Sequence, residues 1–208
     1  MLYETRAKAG RALAESLGHL RDADPLVLGL PRGGVPVATE VAHELGGELD
    51  VILVRKLGVP WQPELAMGAL GEGGIRVLND DVLAQTGMSP LGLATVESRE
   101  RRELERRARV LRGDRGRIPL RDRTVVIVDD GMATGATAAV ACRVARADGA
   151  ARVVVAVPVS SEEAVARLTK EADEVICPLV PRWLGGVGGA YRDFHQLTDQ
   201  EVTNLLAT

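Results

Sequence analysis

Short apolar runs bounded by Gly and Pro alternate along the chain with segments of helical periodicity. This alternation predicts βαβ units, in which a parallel sheet carries helices on both faces. The apolar runs predict strands near residues 26–30, 50–54, 125–129, 153–157 and 175–179. The pattern therefore predicts an α/β fold with an open parallel sheet flanked by helices.

Apolar residues at helical spacing predict helices between these strands and at both ends of the chain. At the N-terminus, Ala7, Leu13, Leu17 and Leu20 lie near one helical face. The later helices are expected after the turn at 31–34 up to about residue 45, and at 137–147, 162–169 and 198–207.

The stretch from residue 79 to 123 interrupts the alternation of strands and helices. Asn79 is a suitable N-cap for one helix, and Ser89-Pro90 opens a longer helix that extends to about Arg112. The Gly- and Pro-rich residues before it predict a loop followed by a hairpin of 66–70 with 75–78. We expect a single domain over residues 1–208 with a helical insertion at about 79–123.

Composition narrows the class of protein. The 208 residues include 26 basic and 29 acidic side chains, 46% hydrophobic residues, and only two Trp, two Tyr and one Phe. A core of Val, Leu and Ala is expected, without disorder, and no apolar run approaches the roughly 18 residues of a membrane span. The N-terminus lacks the apolar segment of a signal peptide, so we expect a soluble, cytoplasmic protein.

The Cys and His residues give no metal-binding pattern. Cys142 and Cys177 lie in a helical and a strand pattern and are expected to be buried thiols. His19, His43 and His195 lie far apart in the sequence, without the spacing of zinc ligands.

The most informative stretch is VVIVDDGMATGAT, residues 125–137. Four β-branched residues indicate a strand that is buried on both faces, and Asp129 and Asp130 follow where that strand ends. Gly131 and Gly135 allow the backbone to approach a ligand, and the helix that begins next turns its free N–H groups towards the loop. The hydroxyl groups of Thr134 and Thr137 lie in the same loop. The stretch predicts a phosphate site beside two acids that can accept hydrogen bonds from sugar hydroxyls.

Other phosphate and nucleophile motifs are absent. A Walker loop needs a Gly-Lys pair, which the chain lacks, and Arg76 occupies the third glycine position of the nearest Rossmann-like run, at 71–76. There is no G-x-S-x-G elbow. One structural alternative stays open: Asp129 and Asp130 could cap the next helix, and this could hold for one of them because adjacent strand residues point in opposite directions.

The run at 125–137 resembles the ribose-phosphate-binding loop of type I phosphoribosyltransferases. LGLPRGGVPVA, at 28–38, resembles the first loop of that family, and VRKLGVPWQPELAMGAL is similar to the region that leads into its flexible second loop. With YRDFHQLTDQEV near the C-terminus, the chain is similar to a branch known as predicted phosphoribosyltransferases. The stretch 79–123 departs from the minimal family pattern.

The resemblance implies a Mg²⁺-dependent transfer of ribose 5-phosphate from phosphoribosyl pyrophosphate to a small-molecule acceptor, with release of pyrophosphate. Asp129 and Asp130 would meet the ribose hydroxyls and stabilise an oxocarbenium-like transition state. The residues that would bind the 5-phosphate are Gly131, Ala133, Thr134, Gly135, Ala136 and Thr137. Those expected at the pyrophosphate are Arg32, Gly33, Gly34, Arg55 and Lys56, with the glycine N–H groups forming an anion nest. Magnesium would bind mainly substrate oxygens and water, so no direct protein ligands are expected.

The acceptor is expected to be a nitrogenous base of unknown identity. Hypoxanthine-guanine enzymes carry an Asp immediately before the Thr-Gly of this loop, where the present chain has Ala133, which argues against a 6-oxopurine. Trp183 and Tyr191 could form a stacking wall for a base or could fill the core near the C-terminus, and both alternatives stay open.

Residues 99–123 contain 11 Arg and five acids, a net charge of +6. We favour a solvated helix face with Glu97–Arg101 and Glu103–Arg107 pairs, or a subunit contact in a homo-oligomer. The second hypothesis is a non-catalytic regulator that senses phosphoribosyl pyrophosphate and binds nucleic acid through these arginines. We do not expect a nucleic-acid partner.

Overall fold

The computed structural model describes residues 3–207. Its strands are β1 (Leu26–Gly29), β2 (Glu48–Val51), β3 (Val54–Val59), β4 (Gln62–Gly71), β5 (Arg76–Leu78), β6 (Thr124–Val128), β7 (Arg152–Ala156) and β8 (Glu174–Ile176). Five of them form a parallel sheet in the order β2-β1-β6-β7-β8. The predicted α/β fold with an open parallel sheet is confirmed, although the last strand is shorter than expected.

The helices are α1 (Arg6–Glu15), α2 (Gly34–Leu45), α3 (Asp80–Thr86), α4 (Pro90–Arg112), α5 (Ala136–Ala147), α6 (Glu162–Leu168) and α7 (Asp199–Leu206). Alternate residues of β6 explain the layers: Val126 packs with α1 and α2, whereas Ile127 packs with α5 and α6. Asn79 and Ser89 accept hydrogen bonds from the first turns of α3 and α4, which are the caps that the sequence predicts. Among residues 3–207, no helix combines the length and the apolar character needed to cross a membrane.

A second, antiparallel sheet of β3, β4 and β5 lies between the core strands β2 and β6 in the chain. The predicted hairpin is present, with Gly68 opposite Leu78. The expectation of a loop before it is wrong, because β3 and β4 pair through a turn that places Val59 opposite Gln62. Register shifts on both sides of Gly58 interrupt the alternation of apolar and polar residues. The pairing of β3 with β4 therefore could not be predicted from that alternation.

Helix α4 packs against the antiparallel sheet and α7 with one apolar stripe, which includes Val96, Leu104 and Leu111. Its last residue, Arg112, is fixed to the edge of the parallel sheet. The Nε atom donates to Oδ1 of Asp50 over 2.9 Å, and another guanidinium N–H donates to the carbonyl oxygen of Val51 over 2.8 Å. The Arg112 side chain is only 4% exposed and also pairs with Glu72. This ion cluster attaches α4 to the parallel sheet.

The surface pairs predicted for α4 are not the ones formed. Glu97 pairs with Arg76 of β5 rather than with Arg101, at 3.1 Å between nitrogen and oxygen. The Glu103 carboxylate accepts two hydrogen bonds of 2.8 Å from the Arg106 guanidinium, rather than pairing with Arg107. The predicted pairs are wrong because the sheet next to α4 and the i+3 neighbour supply better-placed partners.

Candidate active site

Asp129 and Asp130 lie at the carboxyl end of β6, and both line a cavity of about 300 Å³. They occupy different environments. Asp130 is buried, and the Nε atom of Arg6 donates to its Oδ2 over 2.8 Å. Asp129 is half-buried, and its Oδ1 accepts the N–H of Asp130 at 2.8 Å. Neither acid caps α5, whose N-cap is Gly135, so the helix-cap alternative is wrong for both.

Arg6 joins the N-terminal helix and a C-terminal loop to the acid pair. One guanidinium N–H donates to the carbonyl oxygen of His195 over 3.0 Å, and the guanidinium carbon lies 4.0 Å from the centre of the Phe194 ring. The hydroxyl of Tyr191 donates to the carbonyl oxygen of Asp130 over 2.5 Å. Sequence reasoning missed Arg6, because no local pattern connects residues that are 124 positions apart.

Burial raises the pKa of Asp129, and the neighbouring Asp130 carboxylate raises it further. Burial also raises the pKa of Asp130, but the Arg6 guanidinium opposes that rise. A cation that approaches Asp129 would favour its charged form and so lower its pKa.

The first loop, residues 30–33, connects β1 to α2 and includes a cis peptide bond between Pro31 and Arg32. It packs directly on the acid pair, since a Cβ atom at Gly33 would overlap Oδ2 of Asp130. The N–H of Gly34 donates to the carbonyl oxygen of Leu30 over 2.9 Å, so it is not available for the predicted anion nest. Arg32 lines the cavity of the acids, and its guanidinium lies 3.6 Å from Asp199.

The second loop, residues 129–135, connects β6 to α5, and only some of its backbone donors have acceptors within the chain. Gly135 has a φ of +70°, and a side chain there would overlap Leu168 of α6. Within the described part of the chain, the N–H groups of Gly135 and its neighbours Thr134 and Thr137 have no hydrogen-bond acceptor. Of the remaining predicted residues, Ala133 and Ala136 are exposed and Gly131 is buried. The N–H of Ala136 donates to the Thr134 hydroxyl over 3.3 Å. Donors without acceptors at the start of a 12-residue helix form an anion-binding arrangement.

A large cleft of about 1060 Å³ runs from this loop to the antiparallel sheet and α4. Four of the residues predicted for the site line it together: Thr134, Thr137, Arg55 and Lys56. Its walls carry six basic and three acidic side chains. Arg55 pairs with the buried Glu100 at 2.7 Å and Lys56 with Glu64 at 3.3 Å, so both predicted cations are already partly neutralised.

The two aromatic residues that the sequence offers for base stacking, Tyr191 and Trp183, differ in burial. Tyr191 is buried and stacks on Phe194 with 5.2 Å between ring centres, so it fills the core near the C-terminus. Trp183 is 83% exposed. The prediction that both residues form one stacking wall is therefore wrong.

Neither cysteine lines the cavities of the candidate site. Cys142 is buried and Cys177 half-buried, neither forms a disulfide, and burial raises the pKa of Cys142 to about 12 and that of Cys177 to about 11. Residues 3–207 contain no cluster of three or more His, Cys, Asp or Glu side chains suited to a metal ion.

Comparison with solved structures supports this architecture. The crystal structure of a protein from Thermus thermophilus aligns with a TM-score of 0.90 and 48% identity, over 99% of this chain and 98% of that one. A purine phosphoribosyltransferase from Pyrococcus horikoshii aligns with a TM-score of 0.50 and 19% identity, over 93% and 92% of the two chains, and so shows the fold alone.

Two curated proteins from Mycobacterium tuberculosis strains, named provisionally as phosphoribosyl transferases, are each 54% identical over 205 residues. The match covers 99% of this chain but 46% of theirs, so the chain spans about half the length of these relatives. The family model of the phosphoribosyl transferase domain matches residues 1–194. The chain belongs to the phosphoribosyl transferase domain family.

Proposed function

We propose that the protein transfers ribose 5-phosphate from phosphoribosyl pyrophosphate to a nitrogenous acceptor and releases pyrophosphate. One observation carries the proposal: N–H donors without acceptors at the start of α5 lie at the same sheet edge as the acid pair. Membership of the phosphoribosyl transferase domain family supports it.

In the proposed reaction, the loop from Ala133 to Thr137 holds the 5-phosphate through backbone N–H groups and the Thr137 hydroxyl. The bond from the ribose C1 to pyrophosphate breaks, and a bond from C1 to the acceptor nitrogen forms. Asp129, the more accessible acid, accepts hydrogen bonds from the ribose hydroxyls and offsets the positive charge that develops on the ribose. Arg6 holds Asp130 beside it.

We propose that magnesium enters with the substrate. Mg²⁺ prefers oxygen ligands and keeps several waters, and pyrophosphate supplies such oxygens. Asp129 and Asp130 are the protein carboxylates at the site that fit a supporting role.

For the acceptor, we propose a small nitrogenous molecule other than a 6-oxopurine. Ala133 is exposed on the second loop and offers no side-chain acceptor to a ring nitrogen. The cytoplasm, a homo-oligomer and the division into one domain with an insertion stay predictions of the sequence.

The test begins with ribose 5-phosphate binding, measured by calorimetry on the whole chain. The substitution Thr137→Val removes a hydroxyl with little change of shape, so affinity should fall about tenfold through the loss of one charge-assisted hydrogen bond. Thr95→Val is the control, since Thr95 on α4 bonds only to its own helix. Pyrophosphate release from phosphoribosyl pyrophosphate and Mg²⁺ is then screened across candidate bases.

Equal affinity of both variants for ribose 5-phosphate would contradict the phosphate site. Binding of phosphoribosyl pyrophosphate without turnover, together with salt-dependent nucleic-acid binding, would favour the regulator instead.

A further inference from the structure

The three cavities of the candidate site share lining residues, and together they are called the groove. Pro31 and Arg107 line both the large cleft and a middle cavity of about 360 Å³. Arg32 lines the middle cavity and the cavity of the acids. The first loop therefore lines all three cavities, and Arg107 of α4 lines two of them with it.

Most cations along this groove are already paired with acids. Arg55 and Arg99 share the buried Glu100, at 2.7 and 3.0 Å between nitrogen and oxygen. Arg106 and Glu103 form two hydrogen bonds of 2.8 Å. The positive charge of these guanidinium groups is therefore already offset by a carboxylate, which weakens their attraction for a ligand anion.

Arg107 differs from these neighbours. It is half-buried, and among residues 3–207 it has no ion-pair or hydrogen-bond partner for its side chain. Glu103 lies near enough for Arg107 to help lower its pKa, but Arg106 occupies that carboxylate. Arg167 is also unpaired in the described structure, yet it lines only the large cleft and not the cavity that holds Arg32.

We propose that Arg107 binds the pyrophosphate group, both in phosphoribosyl pyrophosphate and as the released product, together with Arg32. The inference rests on the proposed function and adds a substrate-binding residue from α4, outside the parallel sheet. A guanidinium can donate two parallel hydrogen bonds to phosphate oxygens, and partial burial strengthens them. Arg55, which the sequence assigns to pyrophosphate, then serves to neutralise Glu100.

The experiment measures inorganic pyrophosphate and ribose 5-phosphate binding separately by calorimetry. It compares the wild type with Arg107→Gln, Arg107→Lys and the control Arg109→Gln, an exposed arginine of α4 that lines none of the cavities. Arg107→Gln should weaken pyrophosphate binding about tenfold or more, because it removes charge-assisted hydrogen bonds. Arg107→Lys should lose less, and Arg109→Gln should match the wild type. Ribose 5-phosphate affinity should be the same in all four proteins.

Several outcomes would overturn the inference. Wild-type affinity of Arg107→Gln for pyrophosphate would refute it while leaving the proposed function intact. An equal loss in the Arg107→Gln and Arg109→Gln variants would reveal only the general positive field of α4. A parallel loss of ribose 5-phosphate binding in Arg107→Gln would assign the effect to the fold. If the wild type binds neither compound, the proposed function itself fails.

Discussion

Two connections in this molecule share one plan but use it differently. The first loop leads from β1 to α2, and the second leads from β6 to α5, each from the carboxyl end of a parallel strand to the start of a helix. The sequence predicts phosphate-binding backbone in both. In the first loop, the N–H of Gly34 is used within the turn, and Gly33 lies against Asp130. In the second loop, Thr134 and Thr137 line the large cleft, and their N–H groups have no acceptor in the described chain.

The difference separates two uses of glycine. Gly33 makes room for a carboxylate, so the first loop supports the acid pair and contributes the Arg32 side chain to the groove. Gly135 permits a turn with a positive φ immediately before α5, and the second loop contributes main-chain donors without acceptors. One loop thus presents mainly side chains at the candidate site, and the other presents mainly backbone donors.

The largest expected effect comes from removing the ion pair between Arg6 and Asp130, on which the first loop packs. Arg6→Gln leaves the buried Asp130 without its cation, and removal of one partner of a buried ion pair typically costs about 3–5 kcal/mol. Because Arg6 opposes the raised pKa of Asp130, its loss raises that pKa further. The free energy of unfolding, measured by urea titration, should therefore drop most at neutral pH and drop less as acid protonates Asp130.

The control for this variant is the double substitution of Arg6→Gln with Asp130→Asn. It removes both charges and should recover part of the lost stability. No recovery would show that the contacts of Arg6 with the Phe194 ring and the His195 carbonyl oxygen, rather than the ion pair, carry the effect.

A smaller effect is expected from filling the space that Gly33 leaves for the Asp130 carboxylate. Gly33→Ala places a methyl group on Oδ2 of Asp130, and overpacking of this kind costs about 1–3 kcal/mol. Ribose 5-phosphate affinity should fall with it, because Asp130 must move. Gly116→Ala is the matched control, since its added methyl group meets no atom within 4 Å. Equal thermal stability of the two variants would contradict the packing of the first loop on the acid.

The smallest expected change is a gain in stability. Asp129→Asn removes a carboxylate whose pKa is raised by burial and by Asp130, while Oδ1 can still accept the N–H of Asp130. A raised pKa means that stability is lost as pH rises through that pKa, so the Asn variant should melt at a higher temperature at pH 7. Each kcal/mol gained would appear as about 2–4 °C.

This gain should disappear below the ordinary pKa of an aspartate, where the wild-type side chain is protonated in both states. Phosphoribosyl pyrophosphate affinity should fall in the same variant. A stabilised variant with full affinity would remove Asp129 from the proposed site.

The local sequence pattern was sufficient to predict the strands of the parallel sheet and the position of the second loop. Four β-branched residues from Val125 to Val128 can be buried on both faces only in a central strand, and the following acids and glycines fit only its carboxyl end. By contrast, β3 was hidden because Gly58 and the Pro60 turn break the two-residue period. Period-based reasoning fails wherever a bulge shifts the register.

Contacts between distant residues were beyond the sequence. The pairing of Arg6 with Asp130 depends on how α1 packs against the sheet, and the pairing of Arg55 with Glu100 depends on how α4 crosses β3. Both pairs decide which charges a ligand meets. Residue types in a motif could therefore predict the site but not which of its cations are free.

The attachment of α4 through Arg112 has a consequence for the entropy of binding. Arg107 lies five residues before this buried ion cluster, about 7.5 Å along the helix axis. Its backbone is therefore ordered before any ligand arrives. Binding at Arg107 then restricts one side chain rather than a whole segment, and the loss of conformational entropy stays at the scale of a single rotamer-rich residue, roughly 0.5–1.5 kcal/mol.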